Sequence, residues 1–228
     1  MELKISEIFK SCQGEGPSAG LPSVFVRLSG CNLHPDCCFW CDTKYAQTDK
    51  GKTISVGRVV TRVEELSNGC RRVCLTGGEP LHSGIELFDL IDRLKFRGYF
   101  IEVFTNGTIQ PPNCLSLVDS WVVDIKCPSS GVADKCLVDE WLRTVRSQDT
   151  VKFVVADSED LDYITVALKK FETRAQVALS PCITTDLLDE SSQEAREWMQ
   201  AVWNFCVEHN YQFGLQVHRV VWEGRRGV

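Results

Sequence analysis

The sequence predicts an α/β protein, and three observations carry that expectation. Short β-branched apolar runs alternate with longer segments of helical periodicity, glycines punctuate the helix ends, and polar outliers recur just past the apolar runs. Ser23 to Leu28 (SVFVRL) reads as a buried strand. Val56, Val59, Val60, Val63 and Leu66 then recur at helical spacing, with Gly69 where a C-terminal cap belongs. Arg71 to Leu75 is strand-like, and Leu87, Leu90, Ile91 and Leu94 form the next helical stripe, closed by Gly98. Further strands are expected at Tyr99 to Phe104, Trp121 to Ile125, Val151 to Val155, Gln176 to Leu179 and Tyr211 to Val217. A helix is expected near Glu159 to Phe171, and a longer one from Ser191 to His209 that opens on a Ser191-x-x-Glu194 capping box. Strands alternating with helices indicate parallel βαβ units. Six or seven such strands can curl into an incomplete barrel or lie open as a doubly wound sheet, and periodicity does not separate the two. No internal repeat, low-complexity tract or linker interrupts the pattern, so a single domain over residues 1–228 is expected.

Both architectures place ligands at the carboxyl ends of the strands. There the sequence carries Thr76-Gly77-Gly78-Glu79-Pro80, Thr105-Asn106-Gly107, Asp124-Ile125-Lys126, Asp157, Ser180-Pro181 and His218, which predicts one composite site along that edge. Composition narrows the partners. A net charge of −6 argues against a nucleic-acid binder, which usually presents a positive face. No run of about 20 apolar residues exists to cross a membrane. Met1-Glu2-Leu3-Lys4 lacks the apolar stretch of a secretory signal, so a cytoplasmic protein is expected. In such a compartment the 12 cysteines are expected as thiols or metal ligands rather than as a disulfide framework.

Four of those cysteines fall within eleven residues, Cys31-Asn-Leu-His-Pro-Asp-Cys37-Cys38-Phe-Trp-Cys41. Closely spaced thiolates suit a soft-ligand metal. One reading is a zinc knuckle using Cys31, Cys38, Cys41 and either Cys37 or His34, although the second ligand pair usual for zinc is missing elsewhere. A second is an iron–sulfur cluster on three thiolates. A third is a loop of inert buried thiols. Spacing alone leaves zinc and iron–sulfur near parity.

Cys31, then Cys38-Phe39-Trp40-Cys41 followed by Asp42-Thr43, resembles the cysteine signature of radical S-adenosylmethionine enzymes, and Gly77-Gly78-Glu79-Pro80 supports the same resemblance. Within that superfamily the chain is similar to the 7-carboxy-7-deazaguanine synthases of 7-deazapurine (queuosine and archaeosine) biosynthesis. The matching pieces span almost the whole chain: Glu7-Ile8-Phe9, Gln13-Gly14-Glu15-Gly16, Phe25-Val26-Arg27-Leu28, Gly30-Cys31-Asn32-Leu33, Cys41-Asp42-Thr43, Thr76 to Pro80, and Gln216-Val217-His218-Arg219. The Gln-Gly-Glu-Gly segment and the Gln-x-His ending separate this group from the glycyl-radical activases, which share only the cysteine motif and the glycine pair. One departure stands out. Six residues separate Cys31 from Cys38 where the superfamily usually has three, which leaves Cys37 as a rival to Cys38.

The resemblance implies an incomplete (βα) TIM-like barrel of about six parallel strands. It implies a 4Fe–4S cluster on Cys31, Cys38 and Cys41, S-adenosylmethionine, and Mg2+ on Thr43. The expected cofactor contacts are Trp40, Cys41, Asp42, Gly78, Glu79, Cys127, Pro128, Ser129, Ser180, Pro181, Cys182 and Ile183. The implied substrate is a pterin, 6-carboxy-5,6,7,8-tetrahydropterin, held by Cys12, Gln13, Gly14, Glu15, Arg27, Thr76, His218 and the terminal carboxylate of Val228. Polar groups at the ring edge would reject analogues by being left unpaired, and an arginine in the middle of an apolar strand would fork onto the carboxylate. A flavodoxin- or ferredoxin-like electron donor and a homodimer follow from the same resemblance. No nucleic-acid or membrane partner is expected.

Overall fold

The computed structural model describes residues 1–182, 193–222, 225 and 227. Among the described residues nine strands form one sheet: β1 (Glu2–Cys12), β2 (Pro22–Leu28), β3 (Lys52–Ser55), β4 (Arg72–Gly77), β5 (Phe100–Thr105), β6 (Ser120–Asp124), β7 (Thr150–Val155), β8 (Gln176–Pro181) and β9 (Gln212–Phe213). Six α-helices accompany them among these residues: α1 (Val56–Ser67), α2 (Ile85–Phe96), α3 (Val138–Thr144), α4 (Ser158–Lys170), α5 (Gln193–His209) and α6 (Val217–Trp222).

The strand order is β3-β1-β2-β4-β5-β6-β7-β8-β9. From β2 onward every neighbouring pair is parallel, whereas β1 runs antiparallel to both β2 and β3. This order decides between the two architectures. A doubly wound sheet reverses its order at a switch point, but here the parallel strands follow one another without reversal. Right-handed crossovers then place the connecting helices on the same face, and the sheet curls with those helices outside as an incomplete barrel.

The burial pattern agrees with that geometry. Val24, Val26, Leu28, Val73, Leu75, Ile101, Val103, Trp121, Val123, Val151, Phe153, Val155, Val177 and Leu179 alternate along their strands and share one core cluster with the helical stripes. In α1 that stripe is Val56, Val59, Val60 and Val63, all buried, at a spacing that keeps them on one face. Each such burial is worth roughly 1.5–3 kcal/mol. Ser55 caps α1 by accepting from the Arg58 N–H. The intervening strand residues, among them Arg27, Thr76, Phe104, Asp124, Lys152 and Val154, face the other way and line a cavity.

The seven parallel strands fall within the six or seven expected, and β1 and β3 add an antiparallel edge. Two points differ from the sequence reading. The run from Tyr211 to Val217 is not one strand: only Gln212–Phe213 pairs with β8, and Val217 begins a helix, so His218 is helical. Its strand-like alternation of apolar and polar residues is overridden because the Val217 N–H donates to the Gly14 carbonyl, turning the chain across the barrel mouth. Finally, α3 has no counterpart in the sequence reading. The expected capping residue Ser191 lies outside the described residues.

Candidate active site

The inner faces of the strands and the loops at their carboxyl ends enclose a cavity of about 360 Å³. Fifteen of the expected site residues line it: Cys12, Gln13, Gly14, Glu15, Arg27, Cys31, Cys38, Trp40, Cys41, Asp42, Thr43, Thr76, Gly78, Cys182 and His218. The strand period places Arg27, Thr76, Asp124 and Lys152 on this face, because each sits one residue out of phase with the apolar set of its strand.

Arg27 is aimed by its neighbours. Glu7, its register partner on β1, accepts from the Arg27 Nε at 2.7 Å, and the Tyr45 hydroxyl donates to the same carboxylate oxygen at 2.7 Å. The guanidinium carbon also lies 6.0 Å from the Phe9 ring and 5.8 Å from the Tyr45 ring. Only Nε is committed to Glu7 in this pairing, so the two terminal nitrogens keep their fork geometry for an anion. Gln13 is almost fully buried; its amide donates to Glu102 at 2.8 Å while its own oxygen accepts from the Gly14 N–H. Gly14 has to be glycine, since a Cβ there would come within 2.2 Å of the His218 ring. His218 in turn reaches Asp42 at 3.6 Å, which ties α6 to the segment after the cysteines.

A buried charge ladder that the sequence reading did not assign runs along the cavity wall. Lys152 bonds to Glu15 and lies 3.7 Å from Asp124, its register partner on β6, and Lys126 reaches Asp124 at 2.9 Å. Burial works against the charge on both lysines. The carboxylates outweigh it and hold both ammonium groups above the ordinary lysine range, Glu15 and Asp124 acting on Lys152 and chiefly Asp124 on Lys126. The signal for Lys152 was available, a lone cation inside the apolar run Thr-Val-Lys-Phe-Val-Val, the same signal that singled out Arg27.

Cys31, Cys37, Cys38 and Cys41 all line the cavity from the loop after β2. Cys38 is buried against Leu33 and Val132, and burial pushes its thiol up while Lys126 opposes the shift. The Asn106 amide points at the Cys31 sulfur at 3.8 Å, and Lys126 lies 5.3 Å above the Trp40 ring. Among the described residues no three His, Cys, Asp or Glu side chains converge as a single-ion site. A four-iron cluster takes each thiolate on a different iron and needs no such convergence, so three soft donors from one loop suit it. Thr43 supplies an oxygen donor beside Asp42, 3.2 Å away, a pair suited to a hard hydrated cation.

Several expected contacts do not reach the cavity. Glu79 is buried and accepts from the Leu81 N–H, the Thr105 hydroxyl and the Asn106 N–H. Burial, against those three bonds, raises its pKa to about 7. These bonds make it a brace between the loops after β4 and β5. Gly78 lines the cavity, but its N–H donates to the Leu28 carbonyl rather than standing free. A Cβ on Gly78 would come within 2.1 Å of the Gly30 oxygen, so the glycine lets this turn seat against the cysteine loop. Cys127, Pro128 and Ser129 lie behind the wall. Cys127 belongs to the core, and Ser129 accepts from the Trp40 indole at 3.4 Å while donating to the buried carboxylate of Asp160. Ser180 and Pro181 are likewise buried outside the cavity lining, within β8. Ile183 and Val228 lie outside the described residues, although Arg225 and Gly227 do line the cavity. All twelve cysteines carry free thiols.

Comparison with known proteins adds four findings. Residues 25–154 match the family model of the radical SAM superfamily. The chain is 39% identical over 184 residues to a 7-carboxy-7-deazaguanine synthase of Methanospirillum hungatei, an alignment covering 81% of this chain and 74% of that one. It is 31% identical over 228 residues to the enzyme of that name from Koribacter versatilis, covering 96% and 97%. The fold is similar to the crystal structure of QueE from Escherichia coli, with a TM-score of 0.74, 23% identity, and 96% and 95% of the two chains covered.

Proposed function

The chain belongs to the 7-carboxy-7-deazaguanine synthases of the radical S-adenosylmethionine superfamily, and from that membership we propose how its residues divide the work. The reaction converts 6-carboxy-5,6,7,8-tetrahydropterin to 7-carboxy-7-deazaguanine with loss of ammonia. A 4Fe–4S cluster together with S-adenosylmethionine supplies the radical chemistry when bound, which leaves the protein to bind, orient and exclude water.

Cys31, Cys38 and Cys41 would hold the cluster, with Cys37 as bystander. Trp40, Asp42, Gly78 and Cys182 face the cofactor directly. Glu79, Cys127, Pro128, Ser129, Ser180 and Pro181 set the shape of that wall from behind, and Ile183 remains a candidate contact on the same side. Arg27, aimed by Glu7, takes the substrate carboxylate with its terminal nitrogens. Cys12, Gln13, Gly14 and Glu15 meet the donors and acceptors of the flat ring, with Thr76 and His218 closing the pocket and the Val228 carboxylate reaching it. Thr43, with Asp42 3.2 Å away, would supply oxygen ligands to Mg2+, a hard cation suited to such donors. The whole activity resides in one domain, which accepts electrons from a flavodoxin- or ferredoxin-like donor and works as a homodimer in the cytoplasm.

The observation that supports this division best is that Arg27, Gln13 and Glu15 and the cysteine loop all line a single cavity. The test is anaerobic reconstitution with iron and sulfide, then incubation with S-adenosylmethionine, reductant and the carboxytetrahydropterin. The deazaguanine should accumulate, and an Arg27→Met variant should retain its iron yet bind substrate far more weakly. A colourless, zinc-loaded protein without turnover would overturn the reading.

A further inference from the structure

Lys152 is the one charged side chain of β7, in a segment whose six residues are all buried. Its side chain is 5% exposed, yet it carries a cation into the barrel. Such a group is poor value for the fold alone, because a buried ion pair is often no more stabilising than an apolar replacement of similar size. Its position explains it better. Glu15 sits in the segment between β1 and β2, outside any strand or helix, and needs an anchor to present its carboxylate reproducibly. Lys152 supplies one from a central strand, and the Gln216 amide supplies a second at 3.3 Å. Both bonds fall on the same carboxylate oxygen, Oε2, which leaves Oε1 for a ligand donor. Asp124 fixes the lysine from the other side and is itself held by Lys126.

We propose that Lys152 is a positioning residue for substrate recognition: from β7, braced by Asp124, it holds the Glu15 carboxylate aimed at the N–H edge of the pterin ring. The inference rests on the reading of Glu15 as a ring contact. Lys152 itself needs no contact with substrate, and its effect passes through Glu15.

The experiment compares reconstituted holoenzyme carrying Lys152→Met, Lys152→Arg, Glu15→Gln, and the Met and Gln changes combined. Iron content and the visible cluster absorbance are measured alongside KM and kcat for the carboxytetrahydropterin. Lys152→Met should raise KM tenfold or more, change kcat less, and leave iron per chain unaltered. Lys152→Arg should recover part of that loss. The combined variant should be no worse than the worse single variant, because both changes remove one shared contact. A wild-type KM in Lys152→Met overturns the proposal, as does a combined variant whose loss is the product of the two single losses. Glu15→Gln alone tests the reading beneath it. If that variant keeps its KM while Lys152→Met does not, the ring contact is misassigned and Lys152 acts by another route. Should Lys152→Met fail to fold, Lys152→Met with Asp124→Asn removes both charges of the braced pair. A raised KM there supports the role, and an unchanged one overturns it.

Discussion

Glu102 provides a sharp test of how the barrel interior treats charge. It lies on the inner face of β5, is 3% exposed, and accepts from the Gln13 amide through Oε2, while Oε1 is buried with no hydrogen-bond partner among the described residues. Its register partner on β6, Ser120, also has a buried unpartnered oxygen. Burial, opposed by Gln13, Ser18 and Arg72, raises the carboxyl pKa from 4.5 to about 7. At about 1.4 kcal/mol per tenfold change in proton affinity, that difference is worth about 3 kcal/mol. The folded protein holds this proton more tightly than the unfolded chain. The contribution is therefore fully present below about pH 4.5 and is lost as the pH rises through about 7. Glu102→Gln replaces the neutral acid with a near-isosteric neutral amide that never ionises. In urea titrations of the reduced, metal-free protein, the stability of the variant relative to wild type should improve by about 3 kcal/mol between pH 5 and pH 8.5, roughly 6–12 °C in melting temperature for a chain of this size. The Glu79 carboxyl also titrates near neutrality but is common to both proteins and cancels in the comparison. A stability difference that stays constant across this range would refute the assignment of a neutral Glu102.

Three further outcomes are expected. Gly78→Ala forces a Cβ to within 2.1 Å of the Gly30 oxygen and 2.7 Å of the Ala46 oxygen, both backbone atoms, so the turn and the cysteine loop must separate; a loss of about 3 kcal/mol or more in denaturant melts and less iron per chain on reconstitution should follow. Cys38→Ala should abolish a four-iron electron paramagnetic resonance signal that Cys37→Ala retains, and the reverse result would exchange their roles. Glu7→Gln weakens the charge-assisted bond that aims Arg27, so KM for the carboxylate substrate should rise about tenfold, equivalent to about 1.4 kcal/mol, with cluster absorbance unchanged.

Much of the architecture was legible because its cause is local. The stripe Val56, Val59, Val60, Val63 can only face one way on a helix, and runs such as Ser23 to Leu28 bury residues on both faces of a covered sheet. The first strand was missed for an equally physical reason. The register with β2 shifts between Ile5 and Glu7, and this breaks the alternation that would have marked it. Beyond that break β1 carries Glu7 and Phe9 to the cavity wall, so its pattern is that of a site and not of a core strand.

By itself the sequence determined the order of the elements, the grouping of cysteines on one loop, and the residues that interrupt apolar strands, since each of these is set by neighbours along the chain. Only the tertiary structure decided that the strands follow one another without reversal. The same folding fitted Glu79 as a brace between loops, seated Cys127 in the core, and joined Glu15, Lys152, Asp124 and Lys126 into one ladder. Those outcomes depend on which strands become neighbours and in what register. Glu15 and Lys152 are 137 positions apart in the chain, and no local propensity connects them.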